Sequence, residues 1–406
     1  MKIPRVAALF ALALAAVLPA RAAADAEARQ VYGIVWKSRA VESAPCLLSV
    51  VLPASESERC TSWTRRESAG PAFHPALGIV VVGGSDRLLH GLDGRDGRVL
   101  WKTSLPGALV AQPVIVDDVA YLGTEDAHAL EVDVATGAVR WDIAVDAEIT
   151  EPAVIDKELV FVVTGADTLY ALRRGTGEVV WLHKHPLPRG ITLRGQARPL
   201  VASVSTTEGE KVRVFVGHAS GRLSVLDRDT GAAVTELDLS KDDTFGDLDA
   251  DPVEVGGRIV AASYTRGVVG LDPRTLTEAW RNSEPGIVRL ARGGDNIVVM
   301  AGSGKVVGVD VQTGKNLWRY TFKKGAPTRI VVQGGRVHVG SDRGALYVLD
   351  LASGRPLQYA GSGLGVAGDL DLWNDMLFFT TTGGTVLALS GAWDGPVQAT
   401  PDQGGR

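Results

Sequence analysis

A unit that recurs about every forty residues limits what this chain can fold into more than any other feature. Seven segments share one form: LLHGLDGRDGRVLWKTSL, HALEVDVATGAVRWDIAV, TLYALRRGTGEVVWLHKH, RLSVLDRDTGAAVTELDL, GVVGLDPRTLTEAWRNSE, KVVGVDVQTGKNLWRYTF and ALYVLDLASGRPLQYAGS. Their shared form is an apolar strand, an Asp, a turn with Thr-Gly, and a second strand carrying Trp, kept in most of the seven. Asp93, Asp133, Asp227, Asp272, Asp310 and Asp350 open the turns, where a carboxylate can accept backbone N–H bonds. Gly97, Gly137, Gly177, Gly231, Gly314 and Gly354 stand where a left-handed backbone is expected. Every segment therefore predicts a hairpin.

Another apolar strand pair precedes each hairpin, as in PVIVDDVAYLGT and PAVIDKELVFVVT, so each unit supplies four short strands. Trp101, Trp141 and Trp181 lie at even spacing, and the equivalent positions then fall at Thr235, Trp280, Trp318 and Gln358. Four-stranded units of this length, repeated, are propeller blades. An eighth unit is split between the chain ends: GTVLALS (384 to 390) lacks its Trp strand, and GIVWKSRAV (33 to 41) carries Trp36 ahead of the first complete blade. Pairing the two closes the ring and removes exposed β edges. The predicted fold is all-β, an eight-bladed propeller of four-stranded antiparallel blades closed by its N- and C-terminal strands. The Trp residues are read as packing between blades, each worth up to about 5 kcal/mol by buried area.

Composition fits this reading, with 48 glycines among 406 residues and 45% apolar side chains, a mixture that suits many tight turns over a large core. Residues 1–22 predict a signal peptide: Lys2 and Arg5, an apolar run from Val6 to Leu18 too short to span a membrane, then an Ala-rich cleavage site. Residues 23–30 read as a linker, 31–390 as the propeller and 391–406 as a tail. No cysteine follows the apolar run as acceptor for a lipid. Removing residues 1–22 leaves 39 basic and 47 acidic side chains with no basic cluster, which argues against nucleic acid as partner. Cys46 and Cys60 are the only cysteines, and an oxidising compartment predicts a disulfide between them.

The rhythm breaks once. Trp181 and Thr235 are 54 apart rather than 40, and the extra residues fall in ITLRGQARPLV (191 to 201) and in the STTEGEK turn. Here resemblance adds to periodicity. The LDxxTGxxxW unit resembles the quinoprotein-type repeat, and the chain from about 31 to 390 is similar to the BamB family of propellers. That closer similarity is carried by FHPALGIVVVGG (73 to 84), ITLRGQARPLV and FGDLDADPVEVGGRIVAASYTRGVVGLD (245 to 272). The resemblance implies a non-enzymatic periplasmic scaffold at the inner face of the outer membrane, which docks the POTRA region of the barrel insertase BamA and assists β-barrel assembly, with nascent barrel proteins as further clients. By position it implies Ile191, Leu193 and Arg194 as contact side chains, with Asp247 and Asp249 on the adjacent loop. Two aliphatic anchors, a multivalent guanidinium and flanking carboxylates make a docking patch; alternatively Arg194 pairs with Asp247 or Asp249 and braces the loops. Membrane association is expected through the partner.

Other signals carry less. AGSGKVVG (301 to 308) has Val306 after Lys305 and a strand rather than a helix beyond it, so a turn is predicted, not a phosphate loop. His183 and His185 share a strand face without a nearby Cys or carboxylate in sequence, and no metal is predicted there. The rival classes are a propeller serving another envelope protein or a glycan, and a quinone-dependent dehydrogenase. The latter enzymes hold their quinone against an adjacent-cysteine disulfide, and this chain has no Cys-Cys pair. No cofactor and no catalysis are therefore expected.

Overall fold

The structure, a computed structural model, describes residues 33–41, 60–61, 64–65, 68–187, 197–207, 209–240, 246–323, 325–361, 365–366 and 368–391, with the backbone alone at 60–61, 64–65 and 345. The signal segment, the 23–30 linker, the tail past Gly391, Cys46 and the Cys60 side chain lie outside the described residues, and so do Ile191, Leu193 and Arg194.

Eight four-stranded antiparallel sheets form the molecule, and no helix occurs among the described residues. Blade 1 runs through Ala72–His74, Ile79–Gly83, Leu88–Asp93 and Val99–Ser104, and blades 2 to 7 repeat that meander. Blade 8 takes Asp371–Trp373, Met376–Thr380 and Val386–Ser390 from the C-terminal end, and its outer strand, Gly33–Ser38, from the other. Gly33 pairs with Ser390 and Ser38 with Val386, so the ring closes as the split eighth unit predicts. Cys60–Thr61 and Thr64–Arg65 make a small separate hairpin.

The second and third strands of the blades are largely buried on both faces, since each side meets a neighbouring blade; the extended start of Gly209–Gly217 in blade 4 is the departure from this. Eight apolar clusters result, one at each join between blades; Val81, Leu89, Leu122 and Leu130 fill the join of blades 1 and 2, and Val80, Val82, Phe378 and Val386 that of blades 8 and 1.

The repeat motif acquires a packing reason. Each Trp ring lies between its own blade's third strand and the turn of the next blade. A Cβ at Gly97 would come within 2.5 Å of Trp36, one at Gly231 within 2.5 Å of Trp181, and one at Gly314 within 2.5 Å of Trp280. The turn glycine thus serves twice, through a φ near +70° and through the room it leaves for indole. The indole N–H donates to the carbonyl just past the next turn's Asp: Trp101 to Val134 at 3.0 Å, Trp280 to Val311 at 2.6 Å and Trp318 to Leu351 at 2.7 Å. Blade 3 opens its turn with Arg173 rather than Asp, and there Trp141 donates instead to the buried Glu131 carboxylate at 2.7 Å.

Where Trp gives way to Thr235, the positions around it change together. Its cross-strand partner is Val225, where Trp101, Trp280 and Trp318 face Gly91, Gly270 and Gly308. The next turn carries Leu276 in place of Gly, at φ +56°, and its N–H still closes on the Asp272 carbonyl at 2.8 Å. Leu276 packs into the join of blades 4 and 5 beside Val225 and Leu237. It supplies the apolar volume that indole supplies elsewhere, at the cost of a backbone conformation that Leu rarely adopts.

Turn carboxylates tie stability to pH. Asp310 accepts from the Thr313 hydroxyl at 2.7 Å and its N–H at 2.8 Å, and Asp350 accepts from Ser353 at 2.6 and 2.8 Å. These hydroxyl and amide donors hold both carboxyls below the ordinary aspartate value. A pKa depressed by folding contributes stability above the unfolded value near 4 and loses it as pH falls through the folded value. Urea midpoints of the native chain are expected to fall more between pH 5 and pH 3 than those of Asp310→Ala/Asp350→Ala; equal slopes would refute this assignment.

Candidate partner-docking site and the axial charge belt

Blade 4 takes up the extra residues. Its first two strands are long, Leu200–Thr206 and Gly209–Gly217, and their hairpin contains the STTEGEK turn. The remaining insertion, residues 188–196, lies between the outer strand of blade 3 and the first strand of blade 4. The segment is outside the described residues, but the residues on either side of it are anchored.

At one end, the imidazole of His185 stacks on that of His218, with ring centroids 3.9 Å apart and planes at 17°. His218 Nδ1 and an Asp167 carboxylate oxygen are 2.8 Å apart, and the His218 backbone carbonyl accepts the Leu248 N–H at 3.2 Å. At the other end, the Arg198 N–H donates to Asp251 at 2.7 Å, and the Arg198 Nε donates to the second oxygen of that carboxylate at 2.7 Å. The residues flanking 188–196 on both sides are thereby joined to residues 246–251, within the second segment singled out in the sequence.

Asp247 and Asp249 themselves are buried, at 2% and 4% exposure. Their backbone carbonyls accept from the Tyr264 N–H at 3.1 Å and from Arg289 at 3.4 Å, respectively. Leu248 between them packs at the join of blades 4 and 5. Their burial makes both aspartates part of the supporting backbone and not of an exposed contact surface; the alternative pairing of Arg194 with either one falls outside the described residues.

The first strands of successive blades approach one another around the axis, and a belt of charge lies there that sequence reasoning missed. Glu151, Arg198, Asp251, Arg289, Arg329 and Asp369 come from blades 3 to 8, one from each. Arg329 donates to Glu151, four blades away across the axis, at 2.9 Å, and its Nε lies 2.9 Å from Asp369. Arg289 approaches the other Glu151 oxygen at 3.8 Å. Burial opposes charge on Arg329, yet the Asp369 and Glu151 carboxylates hold its pKa above the arginine value. Burial, reinforced by Arg329, lowers that of Arg289. The belt had one visible signal: EPAV, RPLV and DPVE each set a charged residue before the proline that opens a blade.

Fold and belt together define a closed eight-bladed propeller of the quinoprotein-repeat class whose axis is spanned by its own paired side chains. The sequence profile of the outer membrane protein assembly factor BamB family matches residues 33–142, 129–320 and 302–398, and the chain belongs to that family. It is 26% identical over 330 residues to the BamB of Escherichia coli (strain K12), a match covering 75% of this chain and 82% of that one. It is 26% identical over 317 residues to the BamB of Burkholderia pseudomallei (strain K96243), covering 72% and 77%. The crystal structure of BamB from Moraxella catarrhalis superposes with a TM-score of 0.68 at 24% identity, over 79% of this chain and 96% of that one. The quinohemoprotein alcohol dehydrogenase from Comamonas testosteroni shares the fold alone, at TM-score 0.62 and 14% identity, over 91% and 78%.

Proposed function

We propose that the chain is a non-catalytic periplasmic assembly factor for outer-membrane β-barrel proteins, docking a BamA-type insertase through the segment that carries Ile191, Leu193 and Arg194. Membership of the BamB family supports the assembly role. The observation that supports the site is the anchoring of the residues on either side of 188–196, His185 on His218 and Arg198 on Asp251. A contact loop held at both ends loses less conformational freedom on binding, so more of its contact energy appears as affinity. Asp247 and Asp249 serve this reading as buried support for the loop. Retention at the outer membrane then follows from the partner.

A redox role is a poor physical fit. Arg329 and Glu151 meet across the axis where a planar quinone would need space, and the chain has no adjacent cysteine pair to stack on one.

The test is co-purification from envelope extracts. The native chain is expected to bring down a barrel insertase, and Arg194→Glu to recover roughly tenfold less, the loss of one charged contact replaced by repulsion. Failure of the native chain to retain an insertase defeats the role; equal recovery by both defeats only the site.

A further inference from the structure

We propose that Asp167, His185 and His218 form a binding site for one divalent transition-metal ion of the zinc class. Sequence spacing placed His183 and His185 together without a carboxylate; the fold brings Asp167 from within blade 3 and His218 from blade 4 against His185. One donor atom from each of Asp167, His185 and His218 can be chosen so that all lie within 4.8 Å of one another.

The arrangement is a built one. Asp167, His185 and His218 are 1%, 8% and 1% exposed. His185 Nδ1 and Asp167 Oδ2 are buried, take part in no hydrogen bond among the described residues, and face each other at 3.6 Å. Two donors on a tetrahedral ion with bonds of about 2.0–2.2 Å stand roughly 3.3–3.5 Å apart, so that gap matches a pair of ligands better than a hydrogen bond. His218 Nδ1 points to the same carboxylate at 2.8 Å, where an ion would take the place of the shared proton.

Both imidazoles are also held from behind. His185 Nε2 lies 3.3 Å from a Glu236 oxygen, and His218 Nε2 lies 2.9 Å from the Ser224 hydroxyl. Outer partners of this kind fix the ring orientation of metal-bound histidines and leave the opposite nitrogen for the ion. Glu236 adds a second carboxylate to balance a divalent charge. Two imidazoles and one carboxylate favour zinc, copper or nickel over calcium or magnesium, and three protein donors leave a fourth position for water.

The site joins His185, at the root of residues 188–196, to His218, whose carbonyl holds Leu248. If the docking reading is right, a bound ion stiffens that contact loop; the metal site itself does not depend on it.

Equilibrium dialysis of the purified full chain against Zn²⁺, with Co²⁺ absorption as a second readout, tests the site without any partner. One saturable equivalent is expected, with a rise in Tm on Zn²⁺ addition. His185→Gln and His218→Gln should each abolish both responses. Glu236→Gln, a partly exposed change that spares the buried cluster, should weaken binding about 10–100-fold, and His183→Gln should leave it unchanged. Absence of saturable uptake by the folded native chain overturns the proposal. So does uptake that survives His218→Gln but is lost with His183→Gln, which would mark a surface histidine pair.

Discussion

Glu151→Ala is expected to destabilise the propeller by about 3–5 kcal/mol, the range for removing one partner of a buried ion pair. The cause is the charge left behind. Glu151 accepts from Arg329 at 2.9 Å and faces Arg289 at 3.8 Å. Without it, two guanidiniums that are both largely sequestered from solvent confront one another beside a single remaining neighbour, Asp369, with Asp251 already engaged by Arg198. The measurement is the shift in urea midpoint at unchanged m-value. Asp126→Ala supplies the comparison, because its partner Arg87 is exposed and such pairs contribute about 0–1 kcal/mol. A loss at Glu151 no larger than at Asp126 would mean that water screens the axis and that the belt is not a dry network.

The second expectation concerns the blade without its Trp. Leu276→Gly removes a side chain packed beside Val225 and Leu237, and is expected to cost about 2–4 kcal/mol, the cavity term offset in part by relief of the φ of +56°. Thr235→Trp alone should also destabilise, by about 1–3 kcal/mol, since the ring would enter space held by Val225 and Leu276. Combined as Val225→Gly, Thr235→Trp and Leu276→Gly, the changes rebuild the Gly-Trp-Gly arrangement of blades 1 and 2, 5 and 6, or 6 and 7. The triple variant should then be more stable than the sum of its parts predicts, by about 1–3 kcal/mol of coupling. Additive losses would show that the Trp and turn residues are independent.

Much of the architecture was legible because a propeller is periodic. The recurring Asp, Gly and Trp sit at fixed offsets, and each offset maps to one strand position, so even the division of blade 8 between Trp36 and the GTVLALS strand could be read. What periodicity could not show is what departs from it in concert. Leu276 stands where the other turns carry Gly, and only three dimensions make it the counterpart of Thr235 and Val225. The axial belt was hidden for a related reason: its residues are tens of positions apart, and Glu151 meets Arg329 only because the ring brings opposite blades face to face. His185 was noticed and its carboxylate was not, since Asp167 is eighteen residues upstream and His218 belongs to another blade. Asp247 and Asp249 were legible as neighbours of the insertion, but their burial was not, because a loop of alternating acids reads as solvated until the backbone that receives it is known.

The strand pairing of Gly33–Ser38 with Val386–Ser390 bears on how the chain matures. Among the described strands, the first to emerge during synthesis is the one that pairs with the last. Trp36 depends on that pairing, because one face of its indole needs Gly97 and its strand needs Ala388. Spanning so long an interval adds little to the loop-closure penalty, which grows only with the logarithm of length, but it makes the final step slow. A chain interrupted before residue 386 lacks the partner strand of Gly33–Ser38, so the ring stays open at that seam and presents unpaired strand edges.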